Sequence, residues 1–162
     1  MTADGGFGLK PENVEGYPRP PRLEPINDTL RVELRGGLVA ETTRGFRALE
    51  TYHAPTYYFP RGDVLAQLTP VTGNTFCEWK GVAQYFDVSI NGHVASAAAW
   101  TYEKPSTAFK AIAGYVSFYA GKLDACYVGG VRVLPQPGDF YGGWVTPNLQ
   151  GKIKGGPGTR HW

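Results

Sequence analysis

The stretch that decides the fold is VAQYFDVSI (residues 82–90), followed by Asn91-Gly92 and HVASAAAW (residues 93–100). Asn-Gly favours the left-handed backbone conformations of a type I′ turn, the common two-residue connection of a β-hairpin. Apolar and polar residues alternate before the turn, with the period of a half-buried strand. The sequence therefore predicts an antiparallel hairpin here.

The register of this hairpin assigns its side chains to two faces. A two-residue turn pairs Ile90 with His93, and counting outward places Tyr85 opposite Ala98. One face is apolar, as expected of a core face, and carries Phe86, Val88, Ile90, Ala95, Ala97 and Ala99. The other face is mixed, as expected of a pocket wall, and carries Tyr85, Asp87, Ser89, Ser96 and Trp100.

Composition extends the β prediction to the rest of the chain. The 162 residues include Gly 22 and Pro 13, and 14% are aromatic. Glycine and proline break helices, whereas aromatic residues suit pleated sheets. We expect a mainly β (β-rich α+β) fold, in which a compact, curled or barrel-like antiparallel sheet carries two or three short helices and irregular terminal arms.

Local patterns place further elements. Leu30, Val32 and Leu34 alternate with charged residues before Gly36-Gly37, which predicts a second hairpin. Short helices are predicted after Thr43, where Phe46 and Leu49 share a face, then over residues 63–68, and from residue 106 or 107 to 112. Strands are predicted at residues 56–59, 114–119, 123–128 and 131–134.

The chain is expected to form one domain with an N-terminal arm. Residues 1–28 are rich in proline and glycine and predict an extended arm that packs on a single domain of residues 29–162. No apolar stretch reaches the roughly 18 residues that span a bilayer, which predicts a cytoplasmic protein without a membrane partner. A net charge of +2 disfavours nucleic acid as a partner, although the tail residues Lys152, Lys154 and Arg160 are a weaker basic candidate.

Several ordered motifs resemble domain-of-unknown-function family 427, which is also catalogued as a nucleotidyltransferase-like domain. The motifs are FCEWKG (76–81), WTY (100–102), GYVSFY (114–119), YGGWVT (141–146), ETYH (50–53), YYFP (57–60) and KGGPGT (154–159). The resemblance extends from about residue 30 to residue 162 and implies a small β-rich cytosolic domain of bacteria or fungi without an established reaction. Glu78 departs from the pattern, because proline is expected after the cysteine.

Nucleotidyl transfer normally needs carboxylates that hold magnesium, usually together with a glycine-rich phosphate loop. None of the 14 acidic residues lies two positions from another, and no G-x-x-x-x-G-K-[ST] loop occurs. The sequence therefore disfavours nucleotidyl transfer.

Cys77 and Cys126 belong to no C-x-x-C pair, which argues against a disulfide scaffold or a zinc site. The sequence predicts no metal and no cofactor, and it indicates no oligomeric state.

Three residues are candidates for reactivity. Cys77 lies close to Lys80, whose ammonium would stabilise a thiolate nucleophile, but cysteine is also a common buried apolar side chain. Lys80 is a candidate anion anchor or amine nucleophile, or else a solvated surface charge. His53, before Pro55, is a candidate general acid or base, or else a loop histidine. In an unbroken strand Lys80 would point away from Cys77, unless Gly81 hosts a bulge.

Aromatic and glycine residues are candidates for the walls of a ligand pocket, with core packing as the competing interpretation. They are Trp79, Tyr85, Trp100, Tyr102, Tyr141, Gly143 and Trp144, with Arg61 as a secondary candidate. The first functional hypothesis is a small-molecule pocket in which Lys80 holds an anion and Cys77 or His53 supplies reactivity. The alternative is a non-catalytic binding or protein-interaction module.

Overall fold

A computed structural model describes residues 9–77, 79–138 and 141–155. Within these ranges the chain is mainly β, as predicted. The strands are β1 (Glu12–Asn13), β2 (Arg22–Pro25), β3 (Leu30–Leu34), β4 (Gly37–Thr42), β5 (Phe46–Leu49), β6 (Thr56–Tyr58), β7 (Gln67–Cys77), β8 (Gly81–Ile90), β9 (His93–Thr101), β10 (Val116–Phe118), β11 (Ala125–Val128), β12 (Val131–Arg132), β13 (Leu134–Pro135), β14 (Trp144–Val145) and β15 (Leu149–Gln150).

The strands form five separate sheets. Two are four-stranded and antiparallel, in the orders β10-β9-β8-β7 and β12-β11-β3-β4. A three-stranded sheet has the order β2-β5-β6, β13 pairs with β14, and β1 pairs with β15 in parallel. No sheet closes into a barrel among the described residues, which corrects the barrel-like expectation.

Two buried clusters lie on the two faces of the β7–β10 sheet. The larger joins the two four-stranded sheets and includes Phe86, Val88, Ala95 and Ala99 from the apolar hairpin face. The smaller contains Ala48, Tyr58, Ala83, Trp100, Tyr102, Phe109 and Ile112. Successive strand residues point to opposite faces, so β8 contributes to both clusters. The smaller cluster adjoins the candidate site.

The central hairpin forms as predicted near its turn. Asn91 and Gly92 both have positive φ, at 51° and 80°, as a type I′ turn requires. β8 and β9 are antiparallel, and Ile90 is the partner of His93. The turn prediction is confirmed.

The hairpin register changes farther from the turn. Val88 pairs with Ala95 but Phe86 pairs with Ala99, so two steps along β8 match four along β9. Tyr85 is consequently opposite Trp100, and the predicted Tyr85–Ala98 pair is wrong. An offset of two residues preserves the face of each side chain, because sides alternate with period two. Tyr85 and Trp100 therefore stay on one face, and Phe86 and Ala99 stay on the other. Within the shifted stretch the prediction is wrong, because Ala98 is buried in the larger cluster and Ala97, predicted on the core face, is not among its buried residues.

The helix predictions require correction. The residues after Thr43 form β5, which pairs with β2 on one side and β6 on the other, so its backbone hydrogen bonds lie within a sheet. The predicted helix at 63–68 is replaced by a single 3-10 turn, Arg61–Asp63. The N–H groups of Leu65 and Ala66 donate to the Val39 carbonyl at 2.8 and 3.1 Å instead.

The remaining helical segments in the described residues are also 3-10 rather than α. They are Val14–Gly16, Thr107–Ile112 and Ala120–Lys122. Thr107–Ile112 confirms the helical turn expected there, and it buries Phe109 and Ile112. In the described part of the chain, no helix has the length and hydropathy needed to cross a membrane.

The N-terminal arm, where it is described, is tied to the sheets. β2 pairs with β5, β1 pairs with β15, and Val14 is fully buried. Arg47 donates to both carboxylate oxygens of Glu12, each at 3.0 Å. Residues 1–8 lie outside the described part of the chain.

Candidate functional site

A cavity of about 240 Å³ adjoins the sheet face that carries Tyr85 and Trp100. Cys77, Lys80 and His53, the three candidates for reactivity, all line it. The lining residues are Ala48, Glu50, His53, Ala54, Thr56, Thr75, Phe76, Cys77, Trp79, Lys80, Tyr85, Trp100, Tyr102, Tyr119, Gln136, Tyr141, Gly142, Gly143 and Lys154.

Cys77 and Lys80 reach the same cavity because the chain turns between them. β7 ends at Cys77 and β8 begins at its pairing partner Gly81, so the two strands form a hairpin that the sequence analysis does not predict. The Lys80 N–H donates to the Cys77 carbonyl at 3.2 Å and closes the turn. An unbroken strand would have separated the two side chains. Glu78, the departure from the family pattern, lies outside the described residues.

The turn is held from outside by Ser106. Its N–H donates to the Lys80 carbonyl at 2.9 Å, and its hydroxyl donates to the Trp79 carbonyl at 2.6 Å. Gly81 has φ of 117°, a conformation that residues with a Cβ rarely adopt. These constraints position Trp79 and Lys80 at the cavity wall.

The Lys80 ammonium lies over the Tyr58 ring, with Nζ 6.0 Å from the ring centroid. Tyr58 is 1% exposed, and its hydroxyl has no hydrogen-bond partner among the described residues. Burial raises the pKa of Tyr58 above its ordinary range, and the nearby Cys77 and Glu50 raise it further. The phenol therefore remains neutral beneath the lysine.

His53 is oriented by the backbone. Its Nδ1 lies 2.9 Å from the Thr51 carbonyl oxygen and 4.0 Å from Oε2 of Glu50. Its ring meets Tyr141 edge to face, with centroids 5.1 Å apart. Burial lowers the pKa of His53, and Lys154 and Lys80 lower it further, whereas Glu50 acts in the opposite direction. The imidazole is neutral at neutral pH.

Lys154 is a second cation at the cavity that the sequence analysis did not assign to the pocket. Its Nζ lies 5.5 Å from the centroid of the Tyr141 ring, and its N–H donates to the Tyr52 carbonyl at 2.6 Å. In the sequence analysis it belongs to the resembling KGGPGT motif and to the basic tail of the nucleic-acid hypothesis. Arg160, the tail cation paired with it in the nucleic-acid hypothesis, lies outside the described residues.

Gln136 connects the Lys154 segment to the His53 segment. This side chain is 2% exposed. Its Oε1 accepts a hydrogen bond from the Ala54 N–H at 3.1 Å, and its Nε2 donates to the Lys154 carbonyl at 3.0 Å. A buried amide that satisfies two chain segments holds both in place. No pattern in the sequence distinguished Gln136.

The aromatic wall is built around the Tyr85–Trp100 cross-strand pair. Trp100 packs on Tyr119 with ring centroids 4.5 Å apart. The Tyr85 hydroxyl is hydrogen-bonded to the Thr75 hydroxyl at 2.7 Å. Burial raises the pKa of Tyr102, against the effect of Lys80, and burial also raises the pKa of Tyr119. The wall is therefore neutral and aromatic.

Two glycines allow the C-terminal segment to approach this wall. A Cβ on Gly142 would lie 2.0 Å from Cη2 of Trp100, and one on Gly143 would lie 2.3 Å from Oε1 of Gln136. Real side chains do not tolerate such distances, so the backbone here needs glycine. Gly143 lines the cavity, and its place follows from packing on Gln136.

Two predicted ligand contacts lie elsewhere. Trp144 is 1% exposed in the larger core, where its Nε1 donates to the Phe118 carbonyl at 2.9 Å. Arg61 lies over the Phe86 ring, 5.0 Å from its centroid. Phe86 faces away from Tyr85 along β8, so Arg61 is on the opposite face of the sheet from the cavity. Neither residue lines the cavity.

The donor set of the cavity does not resemble a metal site. Among the described residues, no group of three or more His, Cys, Asp or Glu side chains is placed to hold a metal ion. Glu50 is the one carboxylate among the described lining residues, which also carry Lys80 and Lys154. This balance of charge favours an anion over a cation.

Comparison with known proteins identifies one family. Residues 22–129 match the family model described as Domain of unknown function (DUF427). No curated protein matches the chain. The matched range includes His53, Cys77 and Lys80, whereas Gln136 and Lys154 follow it.

Proposed function

The chain belongs to the DUF427 family, whose description assigns no reaction, and we propose that it binds a small anionic ligand with a flat aromatic body in the cavity described above. The observation that carries the proposal is the convergence of Cys77, Lys80 and His53 on one aromatic-walled cavity. If the ligand reacts, the proposed reactive groups are His53 as general acid or base and Cys77 as nucleophile.

The anion preference rests on the two lysines. Neither Lys80 nor Lys154 has a carboxylate partner among the described residues, and each ammonium lies instead over an aromatic ring. An ammonium offers three hydrogen-bond donors to carboxylate or phosphate oxygens. A bound anion would replace water at these groups without breaking an ion pair.

The aromatic preference rests on the wall formed by Tyr85, Trp100 and Tyr119. Flat rings stack favourably on such side chains in offset or edge-to-face geometry. The cavity volume of about 240 Å³ is below the roughly 300–1,000 Å³ typical of sites for drug-sized ligands. The proposal is therefore a compact acid with a single ring.

A thermal-shift screen tests the proposal. The panel contains aromatic carboxylates, aromatic phosphates and their neutral amide or alcohol analogues, measured on the wild type, Lys80→Ala and Lys110→Ala. Lys110 is an exposed lysine outside the cavity lining. At a hundredfold excess over Kd a ligand adds about 2.7 kcal/mol of stability, which raises Tm by roughly 5–11 °C for a domain of this size.

We expect at least one anion to raise the Tm of the wild type and Lys110→Ala, and a much smaller rise for Lys80→Ala. Equal shifts with the neutral analogues would contradict anion recognition. The absence of a shift with every compound would contradict the pocket itself and favour the interaction module. Saturable binding without product formation would identify a binder rather than an enzyme.

A further inference from the structure

One ring nitrogen of His53 is hydrogen-bonded to the backbone, and the other can accept a proton. The Thr51 carbonyl can only accept a hydrogen bond, so Nδ1, 2.9 Å away, carries the ring proton. In the neutral imidazole Nε2 then holds the lone pair. Among the described residues Nε2 has no hydrogen-bond partner, and the side chain lines the cavity. The site thus contains a proton acceptor that no described residue occupies.

Two ammonium groups act on the same histidine. Lys80 and Lys154 line the same cavity as His53, and both disfavour a positive charge on its ring, whereas Glu50 favours it. A ligand carboxylate or enolate held by these lysines would therefore share the cavity with Nε2. Burial of the surrounding aromatic side chains strengthens such charge interactions relative to water.

A neutral base and two cations that line one cavity suit proton abstraction next to a carbonyl. The base removes the proton from carbon, and the cations stabilise the negative charge that moves to oxygen. We infer that this cavity takes an aromatic 2-oxo acid and catalyses its keto–enol tautomerisation, with Nε2 of His53 as the proton acceptor. This inference rests on the proposed function, since it specifies the ligand and the reaction of the same cavity.

The step is balanced without a further reactant. Nε2 removes a proton from the carbon beside the ketone, and the electron pair of that C–H bond forms the C=C bond of the enolate. The former carbonyl π pair moves to oxygen, where the ammonium of Lys80 or Lys154 stabilises the charge. The imidazolium then returns the proton to oxygen, which gives the enol, or to carbon, which regenerates the ketone.

Proton NMR in D₂O tests the inference. Phenylpyruvate and 4-hydroxyphenylpyruvate, each with a single ring, are the probes, and the measurement is the loss of the C3 proton signal as deuterium replaces it, above the rate in buffer. His53→Asn is the informative variant, because the amide nitrogen of asparagine can keep the hydrogen bond to Thr51 while Nε2 is lost. His93→Asn, at the central turn outside the cavity lining, is the matched control.

We expect the wild type and His93→Asn to exchange at least one probe, and His53→Asn to lose about 10²- to 10⁴-fold of the enzyme-dependent rate. His53→Asn should still bind the probe by thermal shift, which also reports that it is folded. Should it fail to fold, the pH dependence of the wild-type rate replaces it. This rate must fall on the acid side of about 6.5 as the imidazole is protonated, a protonation that Glu50 favours and that Lys154 and Lys80 oppose.

The remaining outcomes separate the two proposals. Probe binding without exchange above the buffer rate overturns the tautomerase inference and leaves the proposed function intact. Undiminished exchange by folded His53→Asn, or a wild-type rate that does not fall toward acid pH, overturns the role of His53. Binding of other aromatic anions but neither of the two probes overturns the 2-oxo acid class. The absence of any anion binding overturns the proposed function as well.

Discussion

The Asp87 carboxylate accepts a hydrogen bond from the backbone N–H of Ala97 across the central hairpin, with Oδ1 and N 2.7 Å apart. Ala97 has φ of 47°, and the register shifts beside this contact. The shift brings Tyr85 opposite Trp100. One side chain-to-backbone hydrogen bond is therefore linked to the alignment of the aromatic wall.

Replacing Asp87 with alanine should destabilise the hairpin. Hydrogen bonds to charged groups contribute about 1.5–3 kcal/mol, so urea unfolding should show a loss of that size for Asp87→Ala. Asp87→Asn keeps an acceptor oxygen and should lose less. If the two variants are equally stable, the negative charge of Asp87 does not stabilise the register shift between β8 and β9.

Gly142→Ala should disturb the aromatic wall. The new Cβ would lie 2.0 Å from the Trp100 ring, and overpacking of this kind costs about 1–3 kcal/mol. Urea unfolding and ligand binding should both weaken. Gly121→Ala is the matched control, because its Cβ would meet only the Pro135 side chain at 3.6 Å. Similar stabilities for the two variants would mean that the Trp100 ring moves away from the new Cβ at little cost.

Gln136→Ala should weaken both stability and ligand binding. The change leaves the Ala54 N–H without its acceptor, and an unsatisfied buried group costs about 1–3 kcal/mol. It also removes the hydrogen bond to the Lys154 carbonyl, so the backbone that positions the Lys154 ammonium at the cavity is held less firmly. Gln150→Ala, at an exposed position, should change neither property. Wild-type binding by Gln136→Ala would show that Lys154 is positioned without Gln136.

His53 should make stability fall as the pH is lowered. Burial lowers its pKa in the folded protein, together with Lys154 and Lys80 and against Glu50, while the unfolded chain titrates near the ordinary 6.5. The unfolded state therefore binds the extra proton first, and stability is lost as the pH falls from above 6.5 toward the folded pKa. Chemical denaturation at pH 7.5, 6.5 and 5.5 should show a steeper loss for wild type than for His53→Asn. Parallel curves would contradict the lowered pKa.

The two cysteines should react differently with iodoacetamide. Burial raises the pKa of Cys126 to about 12, and this residue is 1% exposed, so the native protein should be alkylated at Cys77 alone. A bound ligand should slow that reaction, because Cys77 lines the cavity. Peptide mass spectrometry distinguishes the sites, and Cys77→Ser should remain unmodified. Equal labelling of both cysteines would contradict the protection of Cys126, and a Cys77 rate that bound ligand does not slow would contradict its place in the cavity.

The β-hairpin at Asn91-Gly92, the alternating strand at Leu30–Leu34 and the mainly β class were predictable because they depend on local turn chemistry and period-two patterns. The helix predicted after Thr43 was wrong because the same residues gain sheet partners on both sides, and tertiary pairing overrides local propensity. The barrel expectation was wrong because pattern alone does not specify which sheet edges meet.

For the site, the sequence by itself determined the reactive residue types and the face shared by Tyr85 and Trp100, because side chains alternate along a strand whatever its partners. Tertiary structure alone decided that Lys80 joins Cys77 at a turn, that Trp144 is in the core and that Lys154 lines the same cavity as His53. Those positions depend on contacts such as the two hydrogen bonds of Gln136. One links it to Ala54, which is 82 positions away in the chain, and the other to Lys154, which is 18 positions away. Long-range contacts of this kind leave no periodic pattern in the chain.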